Sequence, residues 1–358
     1  MPTFVTMGEL LVDFISTAQG EARWLAPVRG PRGERGKTGG SGIQGTAESA
    51  GEVPAFIPAP GGAPANVAAG LSLLGKEVGF IGKVGDDPFG RGLADTLLGL
   101  GVDTRAVSFS SQARTMLAFV SLSTSGERDF VFFRHPSADM LIAPGDIPSG
   151  YLSGASFFHF GSISLIAEPA RTTTLGLIEA AREAGALISF DPNIRFSLFS
   201  DEADARRKIL ETIPLTDILK LSEEEAFFLT GQKAPKAAAL ALGSMGPGLV
   251  AVTGGAGGSI AVTSRYGVEV DAYKVPVVDT TGAGDAFCAA MLAALSETEA
   301  KEPSALADLD LIRIFRRANA AGAITVTRRG AIPALPTADE IDLFIQTRKE
   351  IRSSGMLH

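Results

Sequence analysis

The sequence predicts an α/β fold: a mainly parallel central sheet with helices packed on both faces. Three observations point there. Strand-like and helical runs alternate along most of the 358 residues, as they do where helices cross over between parallel strands. A chain that is 45% hydrophobic and 20% charged can bury a large core. Finally, a glycine turn at Val278–Phe287 (VDTTGAGDAF) joins an extended, β-branched run, Tyr273–Val278, to an apolar helix, Ala286–Leu295.

In chain order, Phe4–Met7 reads as a strand, and Pro64–Leu74 as a helix with Ala, Val and Leu at helical spacing. Val78–Ile81 and Pro88–Leu98 repeat the pair, as do Phe157–Phe160 with Arg171–Ala184 and Ala186–Phe190 with Glu202–Ile213. Asp217–Leu221, Glu223–Leu229 and Leu249–Thr253 follow, and Ile312–Val326 is a late helix. On such folds ligands collect at the carboxyl ends of the strands. Met7-Gly8, Phe160-Gly161, Asp191-Pro192 and Thr253 all fall at such ends and can share one crevice.

Two regions break the alternation. Thr115–Ser123 and Arg128–Arg134, joined by TSGE at 124–127, read as a β-hairpin, and Leu10–Ile15 is a short extended run. Arg29–Glu52 is rich in glycine and polar residues with almost nothing to bury, so it reads as a mobile insertion. Its GERGKT piece is similar to a phosphate-binding loop, but Pro31 stands where that pattern needs glycine and no strand precedes it.

Composition excludes several functions. A net charge of −8 and a pI near 5.1 argue against a nucleic-acid partner. The one cysteine, Cys288, rules out an intramolecular disulfide. No signal peptide is expected from the N-terminal residues, and no apolar run reaches about 20 residues. A cytoplasmic protein with no membrane partner is the expectation.

The glycine turn suggests chemistry. Gly282 and Gly284 permit a tight backbone turn, and the helix behind them offers unpaired N–H groups to an anion. Asp285 in that turn has two readings, a base beside a held phosphate or an N-cap of the helix. Asp13 lies in the apolar run LLVDFI, where an unpaired carboxylate is costly to bury. It needs donors, and sugar hydroxyls are one source. No cluster of histidine, cysteine and acids marks a fixed metal site.

DTTGAGDAF resembles the C-terminal signature of the phosphofructokinase-B family, within the ribokinase-like sugar kinases. Gly61–Gly90 (GGAPANVAAGLSLLGKEVGFIGKVGDDPFG) resembles the N-terminal signature, about two hundred residues earlier. GELLVDF, FFRHPSADMLI, FGSISLIAEPAR, DPNIR, LKLSEEEAFFLTG and RRGAIPALPT look closer still to fructokinases. The resemblance spans residues 3–338 and leaves out the insertion at 29–52. It implies one kinase domain over 1–358 with a ribokinase-like three-layer α/β/α fold. A small β-sheet lid is implied too, from segments near 10–60 and 109–135, often shared at a homodimer interface.

The activity so implied is ATP-dependent phosphorylation of a sugar, with D-fructose and its 6-hydroxyl the best match. Asp285 takes the proton while Gly282, Ala283 and Gly284 hold the phosphate. Asp13, Gly61, Gly62, Asn66 and Arg134 face the sugar by resemblance, with Asp139 and Glu168 as further candidates; Glu168 has a plain alternative in starting the helix at Pro169. Asn193, Arg195, Thr253, Gly255, Gly258 and Asn319 belong to the nucleotide. For Asn319 the alternative is the solvent side of its helix, and for Thr253–Gly258 a plain hairpin. Magnesium arrives with ATP, with Glu225 acting on it through water; Ser222 as a helix cap explains the same segment. Asp279 and Thr281 are the implied neighbours of a potassium ion. The rivals are a 2-keto-3-deoxygluconate kinase and an inactive scaffold, although a scaffold typically loses the glycines or the aspartate that this chain keeps.

Overall fold

The computed structural model describes residues 1–19, 55–122, 128–300, 302–348 and 353–356. The insertion at 29–52 and the hairpin turn at 124–127 lie outside them. The chain begins with β1 (Phe4–Met7), β2 (Leu11–Gln19), β3 (Phe56–Gly61), α1 (Ala63–Leu73), β4 (Val78–Gly85), α2 (Pro88–Gly99) and β5 (Asp103–Ser110). β6 (Leu117–Leu122), β7 (Arg128–Phe133), β8 (Phe157–Gly161), α3 (Ala170–Glu183), β9 (Leu187–Asp191) and α4 (Glu202–Thr212) come next. Then follow β10 (Ile218–Ser222), α5 (Glu223–Thr230), α6 (Pro235–Gly243), β11 (Leu249–Thr253), β12 (Ser259–Thr263) and β13 (Gly267–Val270). α7 (Ala283–Leu295), α8 (Asp308–Thr325), α9 (Ala338–Thr347) and β14 (Ser353–Met356) complete the described chain.

β5, β4, β1, β8, β9, β10 and β11 lie side by side in that order and run parallel. Strands such as FVTM, buried at every position, carry the near-continuous apolar runs that a doubly covered sheet requires. β12, β13 and β14 extend one edge in antiparallel fashion, β14 pairing with β13 from Gly267↔Met356 to Val270↔Ser353. One core lies between the sheet and α1, α2, α7, α8 and α9, the other between the sheet and α3 to α6. The three layers predicted from alternation are therefore present, with helix ends within a few residues of their expected places.

From β1 the chain builds outward to β4 and β5, then returns to β8 on the other side of β1 and builds toward β11. The order reverses at β1, and a crevice opens there beyond the strand ends. A second, four-stranded sheet, β3-β2-β6-β7, stands over that crevice. β2 pairs antiparallel with β3 and parallel with β6, and β6 and β7 form the expected hairpin. Its two faces differ. Leu11, Asp13, Phe130 and Phe132 look into the crevice. Phe14, Phe56, Phe119 and Phe133 form a chain of ring contacts, extended by Phe89 of α2.

One element departs from the expectation. Tyr273–Val278 is extended but joins no sheet. β13 ends at Val270, and beyond it the backbone turns to α8, where the Val278 N–H donates to the Val326 carbonyl at 2.7 Å. Val275 and Val277 line a cavity instead of pairing.

Candidate active site

Every residue of α7 from Asp285 to Leu295 is buried, Cys288 included, so the helix enters the core and only its first turn faces the crevice. Gly282 is the N-cap, in a left-handed conformation (φ 76°) that favours glycine, and no side chain caps the helix. That removes the capping alternative for Asp285, which sits three residues in. The Ala283 N–H reaches back to the Thr280 carbonyl at 3.3 Å, whereas helix geometry leaves Gly284 and Asp285 without intrahelical acceptors. Burial pushes the Asp285 carboxyl up to about 6, against the lowering effect of its hydrogen bond from Asn66. It is thus mostly ionised at pH 7 and close enough to neutrality to accept a proton.

Two cavities meet at this turn, sharing Thr280 and Gly284. The first, of about 250 Å³, is polar and lies under the four-stranded sheet. Asp13, Gly62, Asn66, Asn193, Arg195, Thr281 and Asp285 line it. Asn66 Nδ2 donates to Asp285 Oδ2 at 2.7 Å, tying α1 to α7. Gly61 is not on the cavity wall; it packs against Asp13, and a Cβ there would meet the Asp13 carboxylate. Arg134 is also behind the wall. Its guanidinium is buried, bonded through Nε to Asp139 Oδ2 at 2.9 Å and through Nη2 to the Ile163 carbonyl at 3.2 Å. Glu168 is exposed and accepts from the Thr172 N–H at 3.0 Å, so it serves the start of α3.

Arg195 reaches the four-stranded sheet, its guanidinium 5.2 Å from the Phe130 ring centre. Asn193, beside it, is in a left-handed conformation (φ 44°) where the chain turns off β9. Glu225 lies in an adjoining recess with Asn193, Arg195 and Lys220. Its carboxylate accepts from the Ile194 N–H at 2.6 Å and the Ser222 N–H at 2.8 Å, while Ser222 caps α5 in return. The cap reading of this segment holds, and the carboxylate also ties β10 to the loop carrying Arg195. Asp279 holds the glycine turn in place, accepting from the Thr281 N–H and hydroxyl and, at 2.8 Å, from the Gly330 N–H.

The second cavity, about 370 Å³, is mostly apolar. Thr253, Gly255 and Gly258 line it together with Val275, Val277, Ala283, Phe287, Ala323 and Val326. Asn319 lines it too. It is buried, not on the solvent side, and its Nδ2 donates to the Val270 and Asp271 carbonyls, each at 3.1 Å. The glycine loop after β11 does lead into a strand pair, β11 and β12, so the hairpin alternative is also true of it.

Two charged residues escaped the sequence reading. Lys220 Nζ lies 2.8 Å from Asp191 Oδ2 and lines the first cavity. Burial works against its ammonium, while Asp191 and Glu225 hold its pKa above the usual value. A Cβ on Gly284 would stand 2.9 Å from Lys220 Nζ, which gives a steric reason for that glycine. Glu9 is buried just past β1, and burial pushes its carboxyl up to about 7. A charge inside an apolar run, ILKL or GELL, was the available signal. It is the same signal that marked Asp13.

A polar cavity and an apolar cavity thus converge on the amino end of a buried helix. A family profile described as pfkB family carbohydrate kinase matches residues 41–338. The chain is 44% identical over 339 residues to Fructokinase-1 of Zea mays, covering 94% of this chain and 95% of that one. It is 42% identical to Probable fructokinase-4 of Arabidopsis thaliana, over 96% of each. A fructokinase from Xylella fastidiosa solved with bound ATP superposes with a TM-score of 0.81 at 31% identity, covering 97% of this chain and 99% of that one. A fructokinase from Vibrio cholerae, bound to fructose, ADP and potassium ion, gives 0.79 at 31% identity, covering 96% and 98%. This chain belongs to the pfkB family of carbohydrate kinases.

Proposed function

We propose that the protein is an ATP-dependent fructokinase that phosphorylates the 6-hydroxyl of D-fructose. The observation that carries the reaction is the buried Asp285 carboxylate at the junction of the two cavities. The sugar occupies the polar cavity against Asp13, Gly62 and Asn66. ATP lies in the apolar one, its phosphates pointing to Gly284 past Thr253, Gly255 and Gly258. Asp285 takes the hydroxyl proton, the first turn of α7 holds the γ-phosphate, and Arg195 and Lys220 offset its charge. Fructose follows from the named activity of relatives at over 40% identity.

Among the described residues no group of three or more His, Cys, Asp and Glu is placed to hold a metal. Both Glu225 oxygens already accept backbone N–H groups, which fits an outer contact through water rather than direct ligation. Magnesium brought in by ATP supplies charge neutralisation on the phosphates. Asp279 and Thr281 stiffen the turn beside the anion site, where we place a potassium ion by analogy with the potassium-bound fructokinase of Vibrio cholerae. No described helix is long and apolar enough to cross a membrane, and we place the activity in the cytoplasm, where ATP and free hexose meet. The outer face of the lid, with Phe133 58% and Val131 53% exposed beside the ring chain, supports a homodimer through that face.

A 2-keto-3-deoxygluconate kinase needs a cation for the substrate carboxylate. The commitment of Arg134 to Asp139 and Ile163 weighs against it. A coupled ADP-release assay across fructose, ribose, 2-keto-3-deoxygluconate and fructose 6-phosphate is the test. Fructose should give the highest kcat/KM, by at least about tenfold; a better rate with the keto acid sinks the assignment, and no turnover with any of them favours the scaffold.

A further inference from the structure

We propose that Glu9 is a positioning residue for phosphoryl transfer, fixing the first turn of α1 and, through Asn66, the orientation of the Asp285 carboxylate. The inference rests on Asp285 being the base. α1 begins without help from its own sequence: its N-cap is Gly62, no side chain caps it, and no acidic residue lies in its first turn. Such a helix start lacks both an acceptor for its N–H groups and a negative charge for its dipole. Glu9 supplies the acceptor from 54 residues away, Oε1 accepting from the Ala63 N–H at 2.9 Å. Its backbone acts on the same turn. The Glu9 carbonyl oxygen stands where a Cβ on Gly62 would fall, and Gly62 lies at φ 107°, a conformation that favours glycine.

What this turn carries is Asn66. The Asn66 N–H closes the first helical bond on the Gly62 carbonyl at 2.8 Å, and its side chain donates to Asp285 at 2.7 Å. A first turn that shifts therefore moves the Asn66 donor on the base, and displacements of about 1 Å at a reacting group cost large factors in rate. Glu9 carries a penalty for this place. It is 3% exposed, and its Oε2 finds no hydrogen-bond partner among the described residues. Burial raises its pKa to about 7, with Asp139 adding to the effect and Arg134 opposing it. A buried, half-satisfied carboxylate is costly to keep unless its other oxygen serves a purpose.

The test compares Glu9→Leu, Glu9→Gln, Ala63→Pro and Asp285→Asn by steady-state kinetics with fructose and ATP, and by thermal unfolding between pH 5 and 8. Leucine removes the acceptor, and kcat should fall by about 10²-fold with the KM for ATP within about threefold. Glutamine keeps an oxygen for Ala63, and kcat should stay within about threefold of the parent. Proline at Ala63 deletes the donor at a helix position that tolerates it, so it should reproduce the leucine effect even if the leucine variant does not fold. A carboxyl with a raised folded pKa costs stability once ionised, so the parent should lose Tm relative to Glu9→Gln as pH rises through about 7. Parent-like kcat in folded Glu9→Leu or in Ala63→Pro overturns the proposal, as does equal damage from leucine and glutamine. An inactive Asp285→Asn beside a fully active Glu9→Leu removes Glu9 alone; an active Asp285→Asn removes the base and this inference together.

Discussion

The two cavities that share Gly284 are built on opposite principles. The first is walled by buried charges and amides on different elements: Asp13, Asn66, Lys220 and Asp285, with Asp191 and Glu225 behind them. The second is walled by glycine backbone and small apolar side chains, some still open to water, Val277 among them at 63% exposed. Each buried polar group in the first cavity must be satisfied, so a ligand lacking one hydroxyl leaves a partner unpaired at a cost of about 1–3 kcal/mol. An apolar slot discriminates weakly, because one methylene more or less is worth about 1–3 kcal/mol at best and a flat ring can shift within it. With the sugar in the polar cavity and ATP in the apolar one, as proposed, selectivity is concentrated on the polar side and the apolar side contributes position.

Three measurements bear on that contrast, beginning with the largest effect. Asp285→Asn keeps the shape and the contact with Asn66 but cannot accept the proton, so kcat should fall by about 10²–10⁴-fold with ATP affinity nearly unchanged. For the parent enzyme kcat should decline as pH drops through about 6, where Asp285 takes up a proton. The variant should lack that limb, and it should gain stability relative to the parent as pH rises through the same value, since the buried charge is gone. A folded variant with normal turnover would strike Asp285 from the mechanism. Asp13→Ala is next, with fructose binding weakened by about 1.5–3 kcal/mol and ATP binding little changed, as calorimetry can show. Equal losses for both ligands would mean that the two cavities are not independent. Val277→Ala is the smallest. Trimming an exposed wall of the apolar slot should raise the KM for ATP by less than about tenfold and leave the KM for fructose alone. A larger effect on fructose than on ATP would reverse the contrast.

Much of this was legible in the residues, and unevenly. Parallel strands buried on both faces declare themselves as apolar runs, so FVTM and LVAVT were readable without tertiary information. Asp13 could be read because a carboxylate in LLVDFI has no bland explanation. Lys220 in ILKL and Glu9 in GELL carry the same signal but hold partners brought in by the fold, Asp191 and the α1 backbone. Asp285 had two local readings, and the placement of Gly282 as the cap removes one of them, the N-cap. Asn319 had two readings, beside the nucleotide or on the solvent side of its helix, because helical periodicity does not reveal that β13 ends against that face. Tyr273–Val278 has strand composition, yet its partner is α8 and a cavity. Contacts distant in sequence set all of these.

The pairing of β14 with β13 has a consequence in time. During synthesis β14 emerges after every other described strand, and until then β13 presents an open row of N–H and C=O groups. Without β14 that rim of the sheet can accept a strand from another chain. Crowding by sister chains on one messenger is most dangerous in that interval. The four-residue strand Ser353–Met356 then covers that row, and the edge passes to β14, itself a short strand.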